Sequence, residues 1–301
     1  MKILIPGYDT PGALERYCAA ALESAGHSVS FCDLREELYR YSRLGNLPVL
    51  AEAEISLLRR RYNRTLLNRV RVLRPDLLLV FKGSDISAIT LQAIRRLPGA
   101  PALVNWNPDS PFDYATANTN RETIRAIPLY DIYFIWDHDL FHPLQEAGAR
   151  QVAYLPFGYD PVYHRPVDLS PAQRDELASD VCFVGGYTPE RAALLERLAH
   201  HRVRLWGPNW ERLAPGSPLQ GCLMGGWTWG LEMSAIFSAS RVVLNFIRAQ
   251  NGDSHNMRTF EAPAARSLML STRTRDQLNW LPEGVGAAYF STPDEMVGQV
   301  A

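Results

Sequence analysis

The sequence is short of several things, and each shortage excludes a class. It has four cysteines in 301 residues, Cys18, Cys32, Cys182 and Cys222. None shares a C-x-x-C or His-paired spacing, which argues against a zinc site or a disulfide framework. Each lies in or beside an apolar run, so buried, reduced thiols are expected. No stretch approaches the roughly 18 consecutive apolar residues of a membrane span. The opening Met1-Lys-Ile-Leu-Ile-Pro-Gly7 is too brief for a secretory signal, so a cytoplasmic protein is expected. Charge of one sign is also lacking. Lys+Arg number 31 against Asp+Glu 32, a formal net charge of -1, which excludes whole-surface attraction to nucleic acid or an anionic bilayer. A full G-x-G-x-x-G is missing too. The first glycine loop has only Gly7 and Gly12, so no dinucleotide fingerprint is present.

What remains is ordinary globular composition, 47% hydrophobic and 21% charged. The length exceeds one usual core and predicts two domains. Lys2–Pro6, Val29–Cys32, Leu77–Phe81, Pro101–Trp106, Asp131–Trp136 and Val152–Phe157 read as buried strands alternating with helical segments. That alternation is an α/β pattern with a parallel sheet. Gly158–Pro171 is rich in proline and polar groups and reads as a linker. The pattern then restarts at Asp180–Val184, Val203–Trp206, Arg241–Ile247, Ser267–Ser271 and Ala287–Phe290. The expected domains are therefore 1–165 and 172–301. Thr292-Pro-Asp-Glu295 opens a helix only a few residues before Ala301, which suggests a truncated C-terminus.

One arginine-rich segment, Arg59 to Arg74, carries an interleaved apolar stripe of Leu57, Leu58, Tyr62, Leu66, Leu67 and Val70 within a helical region expected over 34–73. A basic amphipathic helix of this kind can rest on a membrane or hold an anion; a solvated face is the favoured reading.

The most informative stretch is Asn251-Gly-Asp-Ser-His-Asn-Met-Arg-Thr-Phe-Glu-Ala-Pro-Ala-Ala265, between two apolar strands. A polar loop there lies at the carboxyl end of a strand, where open α/β sheets bind ligands. Pro263 donates no backbone hydrogen bond, so the helix should start a few residues before it. That puts Asn256 and Arg258 near a helix N-terminus suited to a diphosphate. Glu261, one turn in, can accept from two ribose hydroxyls. Asp253 and His255 are left facing a sugar. Gly185 and Gly186, followed by the helix start at Thr188, make a second phosphate-friendly corner with Arg191 beside it. Trp206, Trp210, Trp227 and Trp229 are each open to stacking on a base or sugar, or to core packing. Tyr8 and Asp9 occupy the first N-terminal loop.

Asp180-Val-Cys-Phe-Val-Gly-Gly186, Val203-Arg-Leu-Trp-Gly207, Ser240-Arg-Val-Val-Leu-Asn-Phe246 and above all His255-Asn-Met-Arg-Thr-Phe-Glu-Ala-Pro-Ala-Ala265 resemble the CgeB-like (spore maturation protein) glycosyltransferases. Trp106-Asn-Pro-Asp-Ser-Pro-Phe112 and Leu155-Pro-Phe-Gly-Tyr-Asp160 resemble their N-terminal half. The resemblance spans most of the chain and is most specific over residues 240–290. It implies a GT-B architecture, two Rossmann-like domains with parallel sheets facing across a cleft. The C-terminal domain would bind a nucleotide sugar, UDP- or dTDP-type first, and the N-terminal domain an unknown acceptor lined by Tyr8 and Asp9. It also implies no metal and no cofactor beyond the nucleotide sugar as co-substrate. Positive groups would carry the leaving diphosphate instead. Asp137-His-Asp139 has the letters of a metal-binding D-x-D but follows an N-domain strand. Against the retaining GT-B pattern, only the second acidic residue matches, at Glu261. Asp253 stands for the first, and Asn256-Met-Arg258 replaces the glycine loop, leaving the stereochemical outcome open. For an inverting route Asp109, between two prolines, and His255 are the candidate bases; Asp109 reads equally as an Asx-turn residue. The alternatives are a sugar-nucleotide epimerase or hydrolase on the same frame, or a non-catalytic sugar- or nucleotide-binding scaffold.

Overall fold

The computed structural model describes residues 1–33, 48–114, 119–248 and 252–301. The expected helical residues 34–47 and Asn251 of the central loop lie outside the described residues. The chain divides into two compact units, Met1–Pro156 and Phe157–Ala301.

In the first unit the order is β1 (Lys2–Gly7), α1 (Leu14–Ser24), β2 (Ser28–Asp33), α2 (Pro48–Leu73), β3 (Leu77–Phe81) and α3 (Ala88–Arg95). There follow β4 (Ala102–Asn107), α4 (Arg121–Ala126), β5 (Ile132–Ile135), α5 (Phe141–Glu146) and β6 (Val152–Tyr154). The sheet runs β2-β1-β3-β4-β5-β6, and its pairings are parallel. Strand order reverses between β1 and β3, so the crevice beyond their carboxyl ends is this unit's switch point. Helix α2 buries Tyr62, Leu66 and Val70 of the expected stripe, whereas Leu57 is 64% exposed. Two of its arginines are used within the unit. Arg59 Nε pairs with Asp85 at 2.7 Å and Arg69 donates to the Phe31 carbonyl at 2.8 Å. Among the described residues no helix is long and apolar enough to cross a membrane.

The second unit repeats the plan with α6 (Pro171–Leu177), β7 (Ser179–Val184), α7 (Pro189–Glu196), β8 (Val203–Trp206), β9 (Leu223–Gly225) and α8 (Gly230–Ala239). It continues through β10 (Ser240–Asn245), α9 (Arg258–Ala264), β11 (Leu268–Thr272), α10 (Arg275–Trp280), β12 (Ala288–Phe290) and α11 (Pro293–Val300). The sheet order is β12-β11-β10-β7-β8-β9, again parallel. Its switch point lies between β7 and β10.

Both faces of this sheet are covered. Val181, Phe183, Val203 and Leu205 join one buried cluster, and their neighbours Cys182, Val184 and Trp206 join another on the opposite face. Successive side chains point to opposite faces, so a strand buried on both sides must read as an unbroken apolar run. All four cysteines are free thiols; Cys32 and Cys182 are buried, while Cys18 and Cys222 are only partly so.

The proline-rich segment after Phe157 packs onto the second unit. Ser234 Oγ donates to the Tyr163 carbonyl at 2.8 Å, and the Val167 N–H reaches Ser238 Oγ at 3.2 Å. His164 within it is 3% exposed. Four short elements have no counterpart in the sequence expectations: α4, α6, β9 and α10.

Candidate functional site

The site is assembled where β7 and β10 end. Strand β7 delivers Gly185 and Gly186, and β8 ends beside them at Gly207. Gly207 has φ +139°, and a Cβ there would run into the Gly185 carbonyl, so only glycine lets the two turns lie together. The Gly185 N–H donates to the Trp206 carbonyl at 2.8 Å, and Trp210 Nε1 donates to the Gly185 carbonyl at 2.9 Å. The glycine corner is thus fixed by its own backbone.

Arginines collect around that corner. Arg191, on the first turn of α7, donates to the Gly186 carbonyl at 2.8 Å and lies over the Phe183 ring at 5.3 Å. Burial, with Arg248 and Arg258 adding like-charge repulsion, brings its pKa down to about 10. Arg248 stands exposed on the loop after β10. Arg258 opens α9, donates to Glu261 and to the Val184 carbonyl, and rests on the Phe237 ring at 5.1 Å. Guanidiniums this close to one another favour an anion among them. Arg248 was not among the expected site residues; its one sequence signal is its position immediately after the β10 apolar run.

Glu261 lies in the first turn of α9 with its side chain 9% exposed, paired to Arg258 through Oε2. The other oxygen, Oε1, is 3.7 Å from His164 Nε2. His164 Nδ1 accepts the Asp160 N–H at 2.9 Å, so the ring proton sits on Nε2 and points toward the carboxylate. Burial lowers the His164 pKa, Glu261 and Asp160 oppose that, and Arg258 reinforces it. His164 lies in the segment expected to be a linker, where no periodic pattern marks it.

Several expected roles are corrected. His255 does not face a sugar: it is fully buried, its Nε2 accepts the Phe157 N–H at 3.0 Å, and its Nδ1 meets Asp276 at 2.5 Å. The backbone donor on Nε2 fixes the proton on Nδ1, directed at Asp276, which leaves no ring nitrogen for a base's task. Asp253 is spent on α10, where it accepts the Arg275 N–H at 2.6 Å and pairs with the Arg275 guanidinium at 3.2 Å. Asn256 does not present open amides to a phosphate. Its Oδ1 accepts the Thr259 N–H at 3.2 Å and its Nδ2 donates to Asn245 Oδ1 at 2.8 Å. The seven-residue helix α9 is thus capped internally, and the local positive charge comes from the arginines. Trp206, 5% exposed, is core packing against the sheet, as is Trp210; Trp227 and Trp229 are 75% and 48% exposed.

Under this loop runs a polar network that no local pattern announces. Gln277, fully buried on α10, accepts from Thr259 Oγ1 at 3.0 Å and Ser271 Oγ at 2.9 Å, and donates to the Thr272 carbonyl at 2.7 Å. It ties α9, β11 and α10 together. The nearest thing to a signal is Thr274-Arg-Asp-Gln277, the spacing of a capping box.

In the first unit Asp109 is ion-paired, Oδ2 to Lys82 Nζ, at 2.5 Å. The Asx turn belongs to Asn107, whose Oδ1 accepts the Asp109 N–H at 3.0 Å. Tyr8 is half-buried and Asp9 exposed, the latter 3.5 Å from Arg16. Asp137 accepts the Asp139 N–H at 3.0 Å, capping its own turn. Among the described residues no three His, Cys, Asp or Glu side chains converge as metal ligands.

Residues 191–301 match the model of a glycosyl transferase-like family. No curated protein matches the chain. Among solved structures, a trehalose-6-phosphate protein from E. coli bound with UDP-2-fluoro glucose is similar at 13% identity, over 99% of this chain and 89% of that one, with a TM-score of 0.60. An alpha,alpha-trehalose 6-phosphate synthase from Burkholderia multivorans is similar at 14% identity, over 100% and 89%, with a TM-score of 0.63. A protein named as a UDP-N-acetylglucosamine 2-epimerase, from Listeria monocytogenes, is similar at 13% identity, over 92% and 80%, with a TM-score of 0.55. The chain is a two-unit α/β protein with the fold of GT-B glycosyltransferases, and its residues 191–301 match a glycosyl transferase-like family model.

Proposed function

We propose that the protein transfers a sugar from a nucleotide-sugar donor to a hydroxyl-bearing acceptor, as a CgeB-like enzyme using a UDP- or dTDP-sugar. The observation that carries this reading is that Arg191 and the Arg258–Glu261 pair meet the end of β7, Arg191 on the Gly186 carbonyl and Arg258 on the Val184 carbonyl, with Arg248 exposed on the loop after β10. Glu261 would accept the two ribose hydroxyls, oriented by Arg258 on one oxygen and His164 on the other. Arg191 and Arg248 would hold the diphosphate and stabilise the charge that grows on it as the bond to the sugar breaks. Because guanidiniums can meet that charge, the reading requires no metal. Free thiols throughout fit a reducing, cytoplasmic setting.

A second reading has a specific observation behind it. A neighbour bearing the name of a UDP-N-acetylglucosamine 2-epimerase shares the fold, so epimerisation or hydrolysis of the donor is the alternative chemistry.

The test is thermal unfolding of the whole chain with UDP, dTDP, GDP, CDP and their glucose derivatives. A ligand at 100 times its Kd adds about 2.7 kcal/mol to the native state, a plain upward shift in Tm. If no species raises Tm, the transferase reading is wrong. A nucleotide that stabilises wild type and Glu261→Gln equally removes Glu261 from ribose recognition. Donor consumed with no acceptor present favours epimerase or hydrolase. Donor bound and never turned over leaves a scaffold.

A further inference from the structure

Helix α2, the longest of the first unit, has two faces of opposite character. On the inner one Arg59 pairs with Asp85, Arg69 donates to the Phe31 carbonyl, and Tyr62 reaches the Cys32 carbonyl at 3.2 Å. Tyr62, Leu66 and Val70 are buried there. At 3.6 residues per turn, Leu57, Arg60, Arg64, Asn68, Arg71 and Val72 share the opposite face, within an arc of about 120° and over a length of about 22 Å. The three arginines are exposed, as are Leu57 at 64% and Val72 at 80%. Arg71 donates to its neighbour on that face, Asn68 Oδ1, at 3.4 Å.

A solvated helix face is stabilised when opposite charges stand three or four residues apart. Here that pairing is missing. Residues 57–75 contain seven arginines and no acidic residue. Among the described residues, Arg60, Arg64 and Arg71 enter no ion pair. Arg60 and Arg64 lie one turn apart in mid-helix, a like-charge pair that costs the helix stability. The C-terminal dipole that favours Arg71 and Arg74 does not extend to them. Counted over residues 34–74, which takes in the whole segment before α2, ten arginines stand against four glutamates. That is a net +6 within a chain whose total is -1. The balanced total excludes attraction over the whole surface and leaves this local one intact.

We propose that the outer face of α2 docks the protein on a bilayer surface rich in anionic phospholipid. Arg60, Arg64 and Arg71 meet headgroup phosphates, to which a guanidinium can donate two hydrogen bonds at once. Leu57 and Val72, at the two ends of the same line, enter the boundary between headgroups and acyl chains. These two side chains separate a bilayer from a nucleic acid. A phosphate backbone satisfies the arginines and leaves both aliphatic groups in water. Because the inner face of α2 is already packed, the contact is shallow, reversible and sensitive to salt. It involves the first unit's surface alone and stands apart from the sugar-transfer reading.

The test is flotation of the whole chain with vesicles of phosphatidylcholine alone, and of phosphatidylcholine with phosphatidylglycerol at two to one. The mixed vesicles are expected to bind at least about tenfold more tightly than the neutral ones, and less so as salt is added. Arg60→Gln, Arg64→Gln and Arg71→Gln combined should weaken binding about a hundredfold, at roughly fivefold for each arginine. Lysine at the same three positions should keep most of it. Leu57→Ser with Val72→Ser should weaken it about tenfold. All these positions are exposed, so each variant is expected to keep the wild-type Tm and any Tm shift given by a nucleotide. No preference for the mixed vesicles, or equal binding by the glutamine variant, overturns the proposal. Vesicle binding undiminished by the serine pair also overturns it, since that marks a site for any polyanion. A duplex DNA fragment bound more tightly than the mixed vesicles does the same. Vesicle binding without a nucleotide shift in wild type would defeat the transferase reading and leave this surface standing.

Discussion

His164 shows how one side chain outside any regular element can govern a site. It is 3% exposed, its Nδ1 is occupied by the Asp160 N–H, and its Nε2 faces Glu261. Protonating the ring would remove the acceptor on Nδ1. Burial holds its pKa below the ordinary 6.5, with Arg258 adding to that and with Glu261 and Asp160 opposing. Between the lowered folded value and 6.5 the unfolded chain binds more protons than the native one, so stability rises with pH across that window. The stability is fully present above pH 6.5 and is lost as pH falls toward the folded value. His164→Gln, which keeps an N–H donor near Glu261 without titrating, is expected to flatten the dependence of Tm on pH between 7.5 and 5. An unchanged slope would show that another group sets it. The place of Glu261 on the first turn of α9 was legible in the sequence, because Pro263 limits where α9 can begin. His164 was not, since nothing local distinguishes a buried histidine in a proline-rich segment from a solvated one.

At the scale of elements, long features were legible and short ones were not. Both sheets, their parallel sense and the boundaries of β3 and β8 follow from apolar runs that are buried on two faces. Helices α4 and α10, six residues each, are too short to show a period, and β9 is a three-residue edge strand. With α10 hidden, the loop's real chemistry was hidden too. Asp253, His255 and Asn256 looked like ligands because their partners, Arg275, Asp276 and Asn245, were invisible from local pattern. Gln277 is the strongest test of that architecture. It is fully buried and bonded to groups from α9, β11 and the turn before α10. Gln277→Leu matches its size and strands those partners without water, a penalty of about 3 kcal/mol or more. Urea unfolding should show the loss in the midpoint. Because α9 carries Arg258 and Glu261, nucleotide affinity should fall as well. A variant as stable as wild type would mean the network is dispensable to the loop.

For the molecule as a whole, charge is balanced in total and unbalanced in place. The net charge of -1 gives no general attraction for anions. Yet in the second unit Arg248 and Arg258 stand near enough to Arg191 to help bring its pKa down to about 10, burial being the larger cause. At pH 7 all of that repulsion is present, since 10 lies well above 7. A dianion placed among the arginines relieves it. Inorganic pyrophosphate, which has no base, ribose or sugar, is therefore expected to raise Tm by itself, and less so as salt is added, because the exposed Arg248 is screened. Arg248→Ala separates repulsion in the free protein from attraction for the anion. It removes a like charge from the free protein, so the variant should be as stable as wild type or slightly more so. It also removes a charge-assisted hydrogen bond of about 1.5 kcal/mol or more, so pyrophosphate should bind about tenfold more weakly. A calorimetric Kd for pyrophosphate, set beside the Tm of the free variant, tests both. Binding equal to wild type would take Arg248 out of the anion site. A large loss of stability without ligand would show that it makes a structural contact instead of a repulsive one.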